Sequence, residues 1–189
     1  PAPVTPRAQG ALRGTAEPLR EMAPRVGHTP TDGEVAAAVH VQHSGAQLLH
    51  APREGSLEVL ATLRGRGFGL GLLSDCSSEL CEAWEATVYA EHFDVTVFSW
   101  VVGYRKPDSR GFTAAAEGLG VPPSRCWFVG DGGSRELSGA AAVGMTPVLV
   151  ANTGYPEYAR YQFDPDALVP PHVVDDIIDV PAVVGFPAG

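Results

Sequence analysis

Four polar side chains have types and positions along the chain that suit chemistry on a phosphate. The hydroxyl of Ser74 and the ammonium of Lys106 would hold phosphate oxygens. The carboxylates of Asp131 and Glu136 are the hard oxygen ligands that Mg²⁺ prefers, and the cation would offset the charge of the phosphate. Each residue alone also fits a plainer structural role, such as a helix cap or a solvated charge. Together, on one side of one predicted sheet, they predict a phosphate site.

The stretch 126–144 carries the clearest of these signals. An apolar run ends abruptly at Gly130 and Asp131, two further glycines follow, and a helical run begins near Ser134. This order of strand, acidic turn and helix puts Asp131 at the carboxyl end of a strand, where ligands bind in open α/β sheets. Glu136 follows in the first turn of the helix. The stretch therefore predicts half of a cation site.

Strands and helices alternate from Gly69 to the end of the chain. The apolar run at 69–74 lacks alternation, as expected of a strand that is covered on both faces. Strand signals recur along the rest of the chain, the last one together with a helix signal: 95–98, 126–129, 146–151 and 173–180. The pattern predicts an α/β fold with a doubly wound, Rossmann-like parallel sheet.

Helix signals fill the chain before that sheet. Residues 1–14 contain three prolines and predict an irregular lead-in. A short helix is expected at 15–26, and a capping box from Thr31 to Glu34 opens a long helix at 35–50. The predicted domains are the lead-in 1–14, a partial helical cap 15–51 and an α/β core 52–189.

Three core helices are expected to begin at local signals. Pro52 is expected to start a helix that ends at Gly65 and Gly67. Ser77 and Asp108 are placed to cap the helices that follow them, because short polar side chains accept the unpaired amides of a first helical turn.

Composition limits the classes of function. The formal net charge of −9 and a pI near 5.0 argue against a surface for nucleic acid or anionic membrane. No apolar run approaches the ~20 residues that span a bilayer, and the start lacks the apolar core of a secretion signal. Cys76, Cys81 and Cys126 form no C-x-x-C pair, so neither zinc nor a disulfide framework is expected. A reduced cytoplasm is the predicted location.

Three segments in order resemble the motifs of one family. LLSD at 72–75, RKP at 105–107 and VGDGGSRELSGAAAVGM at 129–145 are similar to the second, third and fourth motifs of the haloacid dehalogenase-like superfamily. The resemblance covers about residues 52–151. It implies an Mg²⁺-dependent phosphatase that acts on a small phosphate ester, and the early helices would match part of the family's helical cap.

The resemblance also implies a role for each candidate residue. Ser74 would be the phosphate-binding hydroxyl, with the backbone amide of Asp75 as a neighbouring donor. Lys106 would stabilise the nucleophile and the transferring phosphoryl group, so Ser74 and Lys106 are the expected catalytic residues. Asp131 would ligate Mg²⁺. Glu136 stands where the family often has a second aspartate, and would orient water on the metal.

The first motif of the family has no counterpart in the chain. It is a strand ending in Asp-x-Asp-x-Thr, whose first aspartate attacks phosphorus and whose second acts as general acid and base. The nearest imitation ends at Thr15 and has Ala11 and Arg13 in place of the aspartates. No apolar strand precedes it, so it is interpreted as a chance match.

Three explanations for the missing motif stay open. Residues upstream of Pro1 carry it, the protein is a truncated or degenerate member, or a partner chain supplies the nucleophile. The chain is expected to be a hydrolase if an upstream Asp-x-Asp segment exists. The alternative is a protein that binds a phosphate ligand or a partner without hydrolase activity. A sheet edge left open at this point would favour a homodimer.

Other classes of protein fit these residues less well. A receiver domain also combines acids, Ser or Thr and Lys-Pro on a parallel sheet, but here a strong Gly-Asp turn follows the lysine. A nucleotide-binding P-loop is excluded because Gly-Lys-Ser/Thr is absent. The glycines at 65–71 precede or lie within a strand instead of opening a helix, which argues against a dinucleotide-binding fold. A true haloacid dehalogenase is disfavoured by the Gly-Asp turn at Asp131, which indicates a metal site.

Overall fold

The computed structural model describes residues 14–49, 51–155 and 164–185. Residues 1–13, which hold most of the predicted lead-in and the imitation of the first motif, lie outside the described residues. The strands are β1 (Gly71–Ser74), β2 (Val95–Phe98), β3 (Trp127–Gly130), β4 (Thr146–Val150) and β5 (His172–Val174). The helices are α1 (Ala16–Met22), α2 (Asp32–Leu49), α3 (Ser56–Gly65), α4 (Ser78–Ala83), α5 (Ser99–Val102), α6 (Ser109–Gly118), α7 (Glu136–Ala142) and α8 (Val180–Val183).

Every strand pair in the described chain is parallel, which confirms the predicted α/β fold class. β1 pairs with β2, with Ser74 opposite Phe98. β3 pairs with β4, which pairs with β5, so Val129 lies opposite Val148. Because strands within each pair run in one direction, their carboxyl ends share an edge, and the predicted site residues follow those ends.

An apolar cavity separates the two sheets. It has a volume of about 680 Å³ and is lined on one side by Leu72 and Leu73 of β1 and on the other by Phe128 and Val129 of β3. Among the described residues, β1 and β3 are each the last strand of their sheet on this side. The sheet is therefore split where a further strand would join its two parts.

Two clusters of apolar side chains support the sheets. The first joins Leu63 of α3 and Val180 of α8 to the fully buried Val148 of β4. The second joins Phe112 of α6 to Ala140 of α7. The helices therefore bury both sheets against side chains, as expected for layers on a parallel sheet.

The amino-terminal helices are tied to the core through Thr15, which is 2% exposed. Its hydroxyl lies 2.9 Å from the hydroxyl of Ser78 and donates to Glu82 Oε2 at 2.9 Å. His43 Nε2 of α2 lies 2.9 Å from the same carboxylate oxygen. The contact places the start of the described chain beside α4, the helix that follows the Ser74–Asp75 turn.

Local start signals predicted the beginning of some helices correctly and failed at others. The capping box is confirmed, because Thr31 donates its amide to Glu34 at 2.8 Å. The prediction that Pro52 begins a helix is wrong: α3 begins at Ser56, because Gly55 has φ +75°, which no helix contains. Ser77 precedes α4 but makes no side-chain cap, since its hydroxyl donates to the Glu79 carboxylate instead.

The described helices also bear on membrane insertion. None of the helices in the described part of the chain combines the length and the apolar character needed to cross a bilayer.

Candidate functional site

A cavity of about 320 Å³ lies at the carboxyl ends of β1 and β3. Its walls come from three segments: the turn after β1, the loop before α6 and the loop after β3. The polar lining residues are Ser74, Asp75, Arg105, Lys106, Asp131 and Glu136. The structure therefore brings together all five of the residues that the sequence singled out, and adds Arg105.

Lys106, the only lysine in the sequence, is held in place by Glu136. Its Nζ donates to Glu136 Oε2 at 2.6 Å, and the two side chains are only 14% and 6% exposed. Burial raises the pKa of Glu136. The charge and hydrogen bond of Lys106 oppose that rise, as does the Gly132 amide, and the charge of Asp131 adds to it. The ammonium is thus fixed at one wall of the cavity.

Glycine at 130 makes room for this ion pair. A Cβ atom at Gly130 would lie 2.1 Å from Glu136 Oε1, so the carboxylate can fold back over the strand end only if position 130 has no side chain. The same Oε1 accepts the amide of Gly132 at 3.1 Å. Gly132 has φ +86°, a conformation that favours glycine. The Gly-Asp-Gly sequence is therefore a requirement of the local geometry.

The loop after β3 continues in left-handed conformations that its side chains disfavour. Ser134 and Arg135 have φ of +54° and +49°, and each such residue costs on the order of 1 kcal/mol. Asp164 holds the loop in this shape. Its carbonyl accepts the Arg135 amide at 3.1 Å and its carboxylate accepts Arg135 Nε at 2.8 Å. Strained backbone of this kind clusters at functional sites.

Asp166 fastens the same tail segment to the start of α7. Its amide donates to the Gly132 carbonyl at 2.8 Å, and its Oδ2 accepts the Ser138 amide at 2.7 Å. Burial works against the charged form, yet the hydrogen bonds from Ser138 and from the Leu168 amide lower the pKa of Asp166. An acid beyond β4 thus braces the loop that carries Asp131.

Asp75 connects the turn after β1 with the loop that carries Lys106. Its Oδ1 accepts the backbone amide of Lys106 at 3.1 Å. Its Oδ2 lies 3.6 Å from Arg105 Nε, beyond hydrogen-bonding distance, and both atoms are buried without a hydrogen-bond partner in the described chain. Ser99 fixes the turn from below by donating to the Cys76 carbonyl at 3.1 Å.

The formal charges in the cavity have a chemical consequence. Three carboxylates face two cations, which leaves a formal charge of −1 before any ligand binds. Asp131 Oδ1 accepts the Gly133 amide at 2.9 Å, and both oxygens of Glu136 have partners. No group of three or more potential metal-ligating side chains occurs among the residues described.

These oxygen donors fit Mg²⁺ better than Zn²⁺ or Cu²⁺. Mg²⁺ is held by one or two carboxylates, with water and phosphate oxygens as its other ligands, so the acids present meet its needs. Zn²⁺ or Cu²⁺ would favour nitrogen or sulfur ligands, which the cavity wall lacks in the described chain. Asp131 is the carboxylate that suits the cation best, because Glu136 is occupied with Lys106.

Three features of the site were not predicted from the sequence. Arg105 was part of a recognised motif but had no assigned role, and Asp75 was expected to contribute its amide, not its carboxylate. Their adjacency to Ser74 and Lys106 along the chain was the available signal. The bracing by Asp164 and Asp166 had no local signal, because it joins residues about thirty positions apart.

Comparison with known proteins agrees with the fold. The model of the family described as haloacid dehalogenase-like hydrolase matches residues 7–144. A glyceraldehyde 3-phosphate phosphatase of Methanopyrus kandleri is 31% identical over 134 residues, which are 69% of this chain and 57% of the relative. A phosphoserine phosphatase of Thermus thermophilus is 35% identical over 109 residues, which are 57% of this chain and 41% of the relative.

A solved structure agrees as well. The crystal structure of a HAD phosphatase from Thermococcus onnurineus superposes with a TM-score of 0.60 at 25% identity, over 71% of this chain and 58% of that one. The chain thus spans about half the length of the relatives that it matches. The matched range of the family model includes every segment that lines the cavity. The chain therefore belongs to the haloacid dehalogenase-like hydrolases.

Proposed function

We propose that this chain is the phosphate-handling part of an Mg²⁺-dependent phosphatase for small phosphate esters. One observation carries the proposal: a single cavity is lined by the Ser74 hydroxyl, the Lys106 ammonium and the Asp131 carboxylate, brought from three separate segments. The two relatives above are named as phosphatases of glyceraldehyde 3-phosphate and of phosphoserine, which are both small phosphate esters.

Within this proposal each residue has a role that follows from its position. Ser74 donates its hydroxyl to a phosphate oxygen, and Lys106 faces the same group with a fixed positive charge. Asp131 holds Mg²⁺, and Glu136 completes the metal side of the cavity while it keeps Lys106 in place. When bound, the cation neutralises phosphate charge. Because the cavity has a formal charge of −1, a phosphate dianion enters favourably only together with such a cation.

The attacking carboxylate is the missing part of this proposal. Asp75 and Asp131 are the only aspartates that line the cavity in the described chain, and both accept backbone amides. A strand placed between β1 and β3 would end at this cavity and could bring an aspartate to it. We therefore assign hydrolysis to a form of the protein in which an Asp-x-Asp segment occupies that position.

A second candidate function is binding of a phosphate ligand without hydrolysis. One observation favours it: all three carboxylates of the cavity wall already accept hydrogen bonds from backbone amides or from Lys106. Ser74, Lys106 and a cation on Asp131 would still bind a phosphate ester in such a protein. They would not form a covalent intermediate.

Turnover of an aryl phosphate with Mg²⁺ separates the two functions. We expect phosphate release from 4-nitrophenyl phosphate by a form of the protein that carries an Asp-x-Asp segment, and a fall of about 10²–10³-fold when Asp131→Asn or Lys106→Ala is introduced into that form. Asp175→Asn is the matched control, since Asp175 also follows a strand but is exposed and does not line the cavity. Intact mass of the expressed protein shows whether residues precede Pro1.

The outcomes of that experiment are distinct. Turnover no higher than that of Lys106→Ala, together with Mg²⁺-dependent binding of inorganic phosphate in calorimetry, replaces the phosphatase by the binding protein. Turnover that is unchanged in Asp131→Asn contradicts the metal assignment. Absence of both turnover and phosphate binding contradicts both functions.

The domain boundaries and cellular setting are part of the same proposal. We assign 15–51 to a partial cap and 52–189 to the core, joined at Thr15 and Glu82. We place the protein in the cytoplasm, supported by three cysteines that are free thiols in the structure. Its acidic charge supports a small-molecule partner in preference to nucleic acid or membrane, and the open edges of β1 and β3 support a homodimer.

A further inference from the structure

Arg105 contributes a guanidinium with unused donors to the wall of the cavity. Its side chain is 25% exposed, and its Nε is buried without a hydrogen-bond acceptor in the part of the chain that is described. The nearest acid atom, Asp75 Oδ2, is 3.6 Å away and is itself without a partner there. That separation is too long for a hydrogen bond.

Two other cations in the described structure have acceptors at the ends of their side chains. Lys106, next along the chain, has its charge matched by Glu136 at 2.6 Å. Arg53, at a comparable exposure of 20%, donates to Asn152 and Asp176 and lies 3.9 Å over the Tyr155 ring. The Nε of Arg53 is also buried without a hydrogen-bond acceptor among the described residues, but structural contacts occupy both of its terminal nitrogens. Arg105 is held near Asp75 by charge, and its terminal nitrogens make no hydrogen bond to the described residues.

We propose that Arg105 binds a second anionic group of the substrate, a carboxylate, while Ser74 and Lys106 hold the phosphate. The inference rests on the proposed function and names its substrate class: small phosphate esters that also carry a carboxylate. A guanidinium fork matches the two oxygens of a carboxylate, which an ammonium does not. The cavity volume of about 320 Å³ exceeds what one phosphate group fills, so a second group has room.

Asp75 is a positioning residue in this arrangement. Its Oδ1 fixes the Lys106 amide at 3.1 Å and its Oδ2 lies beside Arg105 without hydrogen-bonding to it. One carboxylate therefore sets the spacing between the two cations. It offsets the charge of Arg105 without occupying the donors that a ligand would use.

Calorimetric titration with a pair of matched probes tests the proposal. With Mg²⁺ present, 3-phosphoglycerate and glycerol 3-phosphate differ in having a carboxylate or a hydroxymethyl group. We expect the wild type to bind 3-phosphoglycerate about tenfold or more tightly than glycerol 3-phosphate, the effect of a charged hydrogen-bonded pair. Arg105→Gln should bring that ratio close to one, and Arg105→Lys should leave an intermediate ratio. Arg25→Gln, at an exposed arginine outside the cavity, is the control.

Three results would overturn the proposal. A ratio in Arg105→Gln equal to that of the wild type excludes Arg105 as the carboxylate site. Equal weakening of both probes and of inorganic phosphate assigns Arg105 to the phosphate group instead. A wild-type ratio near one, with normal binding of inorganic phosphate, rejects the substrate class and leaves the proposed function intact. Failure of the protein both to bind inorganic phosphate and to release phosphate from 4-nitrophenyl phosphate rejects the proposed function itself.

Discussion

The carboxyl edge of the strands and the middle of the fold differ: hydrogen bonds connect the loops at the edge, whereas the sheet in the middle is split. At the edge, Asp75 accepts the Lys106 amide, Lys106 donates to Glu136 and Asp166 accepts the Ser138 amide, so three loops form one pocket. In the middle, β1 and β3 border an apolar cavity of about 680 Å³, and no hydrogen-bond ladder joins them among the described residues.

This difference shows that loops can form a pocket even though the sheet beneath them is split. Side chains on loops make the pocket, and their contacts need only the loops to be in place. Joining β1 to β3 requires the backbone of a further strand, because only backbone supplies a regular ladder of donors and acceptors. The groups that we propose to bind phosphate are therefore in place although no attacking carboxylate is found in the described chain.

Loss of Lys106 should reduce the stability of the carboxyl edge more than any other substitution proposed below. Lys106→Ala leaves the buried Glu136 carboxylate without its counter-charge, and breaking a buried pair costs about 3–5 kcal/mol of unfolding free energy. Urea unfolding at pH 7 measures the loss. The double variant Lys106→Met with Glu136→Gln removes both charges and should recover most of it. A double variant no more stable than Lys106→Ala would show that the pair does not hold the edge.

Two valines on paired strands test how loosely the middle of the fold is packed. Val129 and Val148 lie opposite each other in β3 and β4, yet Val148 is fully buried and Val129, beside the cavity, is 36% exposed. We expect Val148→Ala to cost about 2 kcal/mol, from two lost methyl groups and the space they leave. Val129→Ala should cost about 1 kcal/mol or less.

The urea midpoints of the two valine variants test whether the cavity between β1 and β3 is empty. Equal losses would mean that β3 is packed as tightly on its β1 side as on its β4 side. A filled cavity in solution would produce that result.

The smallest effect concerns Asp108, which caps α6 behind the Lys106 loop. Arg110, through its side chain and its amide, lowers the pKa of Asp108 to about 2. A depressed pKa stabilises the fold above the unfolded value near 3.8 and ceases to do so as pH falls through about 2. Asp108→Asn keeps the cap and removes the charge, so it should lower stability only slightly at pH 7.

The pH dependence of that small difference is the check. The gap in urea midpoint between the wild type and Asp108→Asn should stay constant from pH 7 to pH 5 and shrink towards pH 3. A gap that persists unchanged at pH 3 would show that the carboxylate charge does not contribute.

Much of the fold was predictable because its signals are local. The strand at Val95–Phe98 is confirmed, as is the cap at Asp108, and each depends on a few neighbouring residues. The meeting of Ser74, Lys106 and Asp131 in one cavity followed from the geometry of parallel strands, since each follows a strand end or an adjacent loop. Their chemical roles stay predictions.

What could not be predicted depends on distances across the chain. Nothing near Arg105 in the sequence says that Asp75 stops short of hydrogen-bonding to it. The cap expected at Ser77 failed because the Glu79 carboxylate competes for the hydroxyl. The split between β1 and β3 also had no local signal. Each of the two strands pairs with a neighbour, β1 with β2 and β3 with β4, so its sequence looks like that of any strand in a sheet.

The split sheet also bears on how the molecule unfolds. A continuous sheet transmits a local opening from strand to strand, but here the two ladders have no shared strand in the described chain. The coupling falls to α6, which contacts both β1 and β2 and also α7, and to α3, whose Leu63 shares a cluster with Leu70 and Val148. Helices, and not the sheet, therefore determine whether the two halves open together or as separate cooperative units.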